Sequence, residues 1–257
     1  MDSTAIFDDR ARIYARYRPS HPESAIAKLA EGIATILDRL PDSPQLIAAD
    51  IGAGTGIASR QLAEQGIKVI AVEPNEAMIQ QHESHPLVEF KLGTAENTTI
   101  ADSAVDLITS FQAFHWFDPL PTLKEFHRIL KPSGRLALIW SNWDESDPVT
   151  QEFCQFVQII SQTPDKHQNW ESKTGIPPAN SYFSSFDRLQ FSYVEPRNLP
   201  DLIGLVESQG FISLLGEKHE QLVENLKELH RKWAGDRDEV SLVYRTEVYI
   251  SQSDSLS

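Results

Sequence analysis

The residues best suited to chemistry lie at the ends of two apolar runs in the first half of the chain. Residues 46–51 run into three glycines at alternate positions, and residues 67–72 run into an acidic residue. Such glycines let a ligand lie against the backbone, and a carboxylate about 20 positions later is placed to bind ribose hydroxyls. The spacing predicts a nucleoside site that contains Asp50, Gly52, Gly54, Thr55, Gly56 and Glu73.

The spacing of the glycines indicates which kind of nucleoside ligand the site would bind. A dinucleotide site uses G-x-G-x-x-G, whose third glycine packs a helix on a strand while the helix N-terminus faces a pyrophosphate. In this chain Ile57 stands at that third position, and the glycines follow G-x-G-x-G. The pattern therefore favours a ligand that has no phosphate.

Alternating strands and helices position these residues. The hydrophobic pattern predicts strands at 46–51, 67–72, 88–92, 104–109 and 135–140. It predicts intervening helices at 56–65, 75–84 and 119–130. This alternation is typical of a parallel sheet that helices cover on both faces, with the carboxyl ends of the strands at one ligand-binding edge.

The segments outside this core add further elements. Two helices are predicted before it, at 4–17 and 22–40. After Asp144 we expect a helix at 147–161, irregular chain at 162–185, a strand at 189–194, two helices within 200–234 separated near Gly210, and a strand at 240–250. We expect one domain over residues 1–257, with a core at 42–144, an N-terminal helical lid at 1–41, and a cap with C-terminal strands at 145–257.

Composition limits the partners and the setting. The 257 residues carry a formal net charge of −14 and no concentration of lysine and arginine, which argues against a nucleic-acid partner. Cys154 is the only cysteine, so neither an intrachain disulfide nor a thiolate zinc cluster is possible. No apolar stretch approaches the 18 or so residues of a membrane span, and the N-terminus lacks the pattern of a signal peptide. We expect a cytoplasmic protein; the oligomeric state is left open.

Four further segments carry a family resemblance. They are residues 17–22 (YRPSHP), 93–96 (GTAE), 112–118 (QAFHWFD) and 244–250 (YRTEVYI). With the glycine pattern, they resemble the class I S-adenosylmethionine (SAM) dependent methyltransferases, closely over about residues 46–141 and more loosely elsewhere. Within that class the chain is similar to the small-molecule group that includes trans-aconitate methyltransferase and ubiquinone-biosynthesis C-methyltransferases. The fold implied is a doubly wound, mostly parallel α/β sheet of the Rossmann-like methyltransferase type, with helical cap insertions.

The resemblance also implies a function. It implies SAM as the cofactor and a small molecule as the methyl acceptor, with O-methylation of a carboxylate or hydroxyl favoured and C- or N-methylation also open. One alternative is a SAM-binding regulatory protein that does not catalyse methylation. Another is a nicotinamide-dependent oxidoreductase, against which Ile57 argues.

The resemblance assigns roles to more residues. Ala95 and Glu96 would meet the adenine, with Glu96 taking the contact that many relatives make through an Asp at the position of Thr94; a solvated loop carboxylate is the alternative. Gln112 and Ala113 would lie along the methionine moiety, and Pro74 beside the ribose-binding Glu73. Tyr14 suits a sulfonium and Arg18 a carboxylate, on a helix that folds over the cofactor. Alternatively, Tyr14 and Tyr17 pack that helix on the sheet.

His115 is the candidate general base, because an unperturbed imidazole titrates near neutral pH. The alternative is a histidine that hydrogen-bonds its loop and fixes Trp116. Aromatic residues near the ligand edge either form an acceptor pocket or belong to the core: Phe111, Phe114, Trp116, Phe117, Trp140 and Trp143, with Asn142 beside them. His82 and His85 lie three apart on a predicted helix without a further ligand nearby, so no metal is expected.

Overall fold

A computed structural model describes residues 11–29, 45–161, 182–209 and 218–253. Its seven strands are β1 (Ile47–Ile51), β2 (Lys68–Glu73), β3 (Val88–Leu92), β4 (Val105–Phe111), β5 (Leu130–Trp143), β6 (Asp187–Arg197) and β7 (Val240–Gln252). They form one sheet in the order β3-β2-β1-β4-β5-β7-β6. The first five strands are parallel, and β7 runs antiparallel between β5 and β6. The predicted mostly parallel α/β sheet is therefore confirmed.

The helices fall close to their predicted positions. They are α1 (Ala11–Tyr17), α2 (Ile57–Glu64), α3 (Glu76–Ile79), α4 (Pro119–Ile129), α5 (Pro148–Ser161), α6 (Leu199–Glu207) and α7 (Lys218–Trp233). A further helical segment covers residues 23–29. Parts of four predictions lie outside the described residues: 4–10 and 30–40 of the first two helices, 162–181 of the irregular segment, and the break near Gly210.

Side chains alternate between the two faces of the sheet and so bury both. On β5, Leu136 and Leu138 pack with α4 on one face, whereas Ala137 and Ile139 pack with α2 and the segment 23–29 on the other. All four are fully buried. This double coverage explains why the parallel strands read as continuous apolar runs in the sequence.

A third apolar cluster lies where β5 ends and β7 begins. It joins α5, α6 and α7 to the first residues of β7, and includes Phe153, Leu205, Leu226 and Leu242. The residues after Asp144 therefore extend the sheet by two strands and add a helical layer near its ligand edge, as expected for cap insertions. The division into lid, core and cap stays a prediction.

Two predicted boundaries are wrong. The helix expected at 75–84 ends at Ile79, because the chain turns there and the ring of His82 bonds the Ile79 carbonyl. The fifth strand begins at Leu130 rather than 135. Leu130 pairs with Val105 and Arg135 with Leu107, so the intervening residues form a bulge.

No helix within the described ranges is both long enough and apolar enough to cross a lipid bilayer. Nor do those ranges contain a group of three or more His, Cys, Asp or Glu side chains arranged to hold a metal.

Candidate functional site

A cleft lies at the carboxyl ends of β1, β2 and β4 and consists of two adjoining cavities. We call them the inner cavity, which includes Arg18, Asp50 and Thr55, and the outer cavity, which includes Glu73 and Pro74. They share five lining residues: Tyr14, Gly52, Gly54, Phe111 and Gln112. Ten of the predicted cofactor-binding residues line the cleft, namely these five except Phe111, together with Arg18, Asp50, Thr55, Glu73, Pro74 and Ala113.

The glycine loop is pressed between neighbouring elements. Gly52 has a φ of 72°, and a Cβ there would lie 2.6 Å from the Cβ of Ala113. Gly56 has a φ of 79°, and a Cβ there would lie 2.7 Å from the ring of Phe90. Both the left-handed backbone and the close packing require glycine. Gly56 thus shapes the loop but does not line either cavity.

Glu73 fastens this loop to the end of β2. Its Oε2 accepts a hydrogen bond from the Gly54 amide at 2.8 Å, and its Oε1 accepts one from the Asn75 amide at 3.0 Å. Burial raises the pKa of Glu73, and the two amides partly oppose that rise. Each oxygen keeps a lone pair, so the carboxylate is still able to accept from ribose hydroxyls.

Asp50 is buried at the wall of the inner cavity. Its oxygens accept hydrogen bonds from the hydroxyls of Ser59 at 2.6 Å and Thr109 at 2.9 Å. Burial raises the pKa of Asp50 to about 6, although both hydroxyls lower it. A cationic ligand group in the cavity would favour the ionised form.

Two polar atoms at the inner cavity have no partner among the described residues. They are Oγ1 of Thr55, which is 2% exposed, and Nε of Arg18. The Arg18 guanidinium lies over the Tyr14 ring at 4.8 Å, and its Nη2 donates to Gln209 at 3.2 Å. Buried polar atoms in native proteins are nearly always satisfied, so these two are available to a group bound in the cavity. A hydroxyl and a guanidinium together suit a carboxylate.

The chain after β4 turns sharply along the cleft. Gln112 has a φ of 57°, uncommon for a residue with a side chain, and its amide donates to the Ile139 carbonyl at 2.8 Å. The side-chain amide of Gln112 donates to the Ser141 carbonyl at 2.5 Å. This turn brings Ala113 against Gly52. Strained backbone of this kind often occurs at ligand sites.

Besides Gly56, three predicted residues lie elsewhere than the cavity walls. Ala95 is buried in the core. Glu96 accepts hydrogen bonds from the Asp118 amide at 3.1 Å and the Thr122 hydroxyl at 3.4 Å, at the start of α4. His115 is the third: its Nδ1 faces the Trp140 indole at 3.5 Å, and partial burial lowers its pKa. The roles expected of Ala95, Glu96 and His115 stay predictions.

The aromatic residues divide between cleft and core. Phe111, Trp116 and Phe117 line the cleft. Phe114 and Trp140 belong to the core cluster of α4, and Trp143 packs against the ring of Phe153. Tyr17 packs on α6, where a Cβ at Gly204 would lie 2.5 Å from its ring.

Sequence reasoning missed His21, which also lines the inner cavity. It is partly buried, its ring lies 4.5 Å from that of Phe111, and its Nδ1 lies 3.4 Å from the Ser141 hydroxyl. Burial lowers its pKa to about 4. The signal in the sequence is the position of His21 between two prolines in the segment 17–22. The residues of this segment suggest a family resemblance but no role for the histidine.

Comparisons with known proteins identify the family. A family model described as a methyltransferase domain matches residues 49–138. An uncharacterised methyltransferase of Schizosaccharomyces pombe is 30% identical over 210 residues, which cover 79% of this chain and 82% of the relative. An uncharacterised methyltransferase of Mycobacterium bovis is 37% identical over 145 residues, 56% of this chain; the chain thus spans only about half (55%) of that relative.

A solved structure shares the fold. It comes from Anaeromyxobacter dehalogenans and is provisionally described as a type II methyltransferase. It superposes with a TM-score of 0.68 at 22% identity, over 93% of this chain and 98% of that one. By its sequence relatives and its sheet, the chain belongs to the class I SAM-dependent methyltransferase family.

Proposed function

We propose that the protein transfers a methyl group from SAM to a small-molecule acceptor, most readily to the oxygen of a hydroxyl or carboxylate. One observation carries this proposal. The inner cavity places the unpartnered Thr55 hydroxyl and Arg18 Nε beside the carboxylate of Asp50. An amino-acid moiety, with one carboxylate and one ammonium, complements that set.

The cleft offers groups for the methionine and ribose parts of SAM. Arg18 and Thr55 would hold the methionine carboxylate, and Asp50 the ammonium. Glu73 would accept from the ribose hydroxyls, and the apolar Pro74 would lie along the nucleoside. The adenine contact of Ala95 and Glu96 stays a prediction, since one Glu96 oxygen already accepts from α4.

When bound, SAM supplies an electrophilic methyl group on a sulfonium. The chain's own contribution would be to align the acceptor with that methyl and to exclude water. Tyr14 and Arg18 on the N-terminal segment and the aromatic rings of Phe111 and Trp116 are placed to do both.

Substitution of Thr55 by valine tests the cofactor assignment. The variant keeps the side-chain volume and removes the hydroxyl, so SAM affinity should fall about 10- to 100-fold, as for the loss of a hydrogen bond to a charged group. Isothermal titration calorimetry measures it. Ser110→Ala is the matched control, because the Ser110 hydroxyl is also buried without a partner but does not line the cleft. Equal affinities for Thr55→Val and the wild type would contradict the assignment.

A methyl-transfer screen tests the activity. The protein is incubated with methyl-labelled SAM and a cell extract separated into small-molecule, protein, RNA and DNA fractions. We expect label in the small-molecule fraction alone. SAM binding without label in any fraction would favour the regulatory alternative, and binding of NADH instead of SAM would favour the oxidoreductase.

A further inference from the structure

His21 is held rigidly at the wall of the inner cavity. Its amide donates to Oε1 of Gln61 at 2.9 Å, and the Gln61 side chain donates back to the His21 carbonyl at 2.8 Å. The ring lies against Phe111, 4.5 Å between centroids. These contacts come from α2 and β4, the two elements that also form the floor of the cleft.

One ring nitrogen of His21 begins a chain of hydroxyl groups. Nδ1 lies 3.4 Å from Oγ of Ser141, which lies 2.7 Å from Oγ1 of the buried Thr246. With a proton on Nδ1 donated to Ser141, Nε2 carries the free lone pair. This is the tautomer that a general base needs.

We propose that His21 is the catalytic base of this enzyme and that the acceptor is a hydroxyl compound. The inference rests on the proposed methyltransferase function. A carboxylate acceptor is already ionised at neutral pH and would not need a base beside it. A hydroxyl keeps its proton at neutral pH and gains reactivity when an adjacent base removes it.

The reaction balances with no further reactant. The acceptor O–H bond breaks and its proton moves to Nε2 of His21, while an O–C bond forms to the methyl group. The S–C bond breaks and its electron pair stays on sulfur, which becomes a neutral thioether. One positive charge is lost at the sulfonium and one appears on the imidazolium, so the net charge in the cleft is unchanged.

The surrounding charges permit this role. Asp50 of β1 and Arg18 line the same cavity as His21, and Tyr193 of β6 donates to the Ser20 carbonyl at 2.9 Å. The groups in contact with the imidazole, the Phe111 ring and the Ser141 hydroxyl, are neutral, and Gln61 bonds only the backbone of His21. Burial lowers the pKa of the ring to about 4, so the imidazole is unprotonated across the neutral range and its Nε2 lone pair is free.

The decisive variant is His21→Gln, because glutamine is able to hydrogen-bond but not to act as a base near neutral pH. Transfer to the hydroxyl acceptor found in the small-molecule extract should fall about 100-fold or more, the usual contribution of a general base. The wild-type rate should be nearly independent of pH between 6 and 8. The variant's rate should rise about tenfold per pH unit, because it must await ionisation of the acceptor itself.

Two more readouts separate a base from a structural residue. In the wild type, labelled product should survive mild alkali as a methyl ether does, whereas a methyl ester would release labelled methanol. In NMR spectra of the complex with S-adenosylhomocysteine, the ring of His21 should stay neutral and protonated at Nδ1 from pH 5.5 to 8. Circular dichroism and thermal unfolding of His21→Gln should match the wild type, which verifies the fold, and His219→Gln on α7 is the matched surface control.

Several outcomes overturn the inference. They are an alkali-labile product, a His21→Gln variant with wild-type rate or a flat pH profile, an Nε2-protonated ring, or the rising pH profile in His115→Gln instead. Failure of the proposed function looks different, because the wild type itself would then transfer no label to any fraction.

Discussion

Two properties of Asp50 oppose each other in the ligand-free protein: its burial disfavours a charge, and the proposed ligand requires one. Its carboxylate is buried and holds the hydroxyls of Ser59 and Thr109, yet its charge is needed only when a cation is bound. The folded-state pKa of about 6 lies above the ordinary 3.8, so the folded protein binds this proton more tightly than the unfolded chain does. Asp50 therefore contributes most to stability below about pH 4, and that contribution is lost as the pH rises through about 6.

Substitution of Asp50 by asparagine should remove this pH dependence. Between pH 4 and 7 the free energy of unfolding of Asp50→Asn should rise relative to wild type by roughly 2–3 kcal/mol, the equivalent of about two pKa units. Urea unfolding of the two ligand-free proteins at both pH values measures it. The same variant should bind SAM more weakly at pH 7. If the difference in the free energy of unfolding between Asp50→Asn and the wild type did not change with pH, the raised pKa of Asp50 would be contradicted.

At the scale of elements, the cleft depends on how α1 packs on α6. Helix α1 carries Tyr14 and leads directly into Arg18, and both line the inner cavity. The contact between the helices is tight because the ring of Tyr17 fills the space beside Gly204. Helix α6 thus helps to position two of the predicted cofactor-binding residues although it lies outside the glycine loop.

Gly204→Ala should loosen this packing. Alanine gains about 1 kcal/mol of helix propensity over glycine, but its Cβ would lie 2.5 Å from three atoms of the Tyr17 ring. We expect a net loss of stability and a several-fold loss of SAM affinity, measured by thermal unfolding and calorimetry. The double variant Tyr17→Ala/Gly204→Ala has room for the added methyl group, so alanine at 204 should cost less there. Equal effects of Gly204→Ala in both backgrounds would count against the contact.

At the scale of the whole molecule, the sequence predicts the features that depend on the hydrophobic period of a segment and on the number of residues between segments. The positions of Asp50 and Glu73 at neighbouring strand ends follow from two apolar runs and the length between them. The role of His21 does not, because its partners Gln61 and Ser141 lie 40 and 120 residues away. Glu96 illustrates the same limit: its partner amide belongs to a helix that begins 22 residues later.

Ligand binding should stabilise the whole molecule. A ligand at 100 times its dissociation constant adds about 2.7 kcal/mol, which for a protein of this size raises the Tm by roughly 5–10 °C. Differential scanning fluorimetry with S-adenosylhomocysteine should show that shift, and NADH at the same concentration should show none. A shift with NADH alone would exclude the proposed cofactor.

Besides the contact of the His21 ring with Ser141, four hydrogen bonds hold the segment from Arg18 to His21 to three distant parts of the chain. Arg18 bonds Gln209, Ser20 bonds Tyr193, and His21 bonds Gln61 twice. If this segment lifts when a product leaves the cleft, these four bonds break and later re-form. In the proposed enzyme, the residence time of the product would then depend on how fast these bonds break, and turnover should respond to substitution of Tyr193 or Gln209, which do not line the cleft.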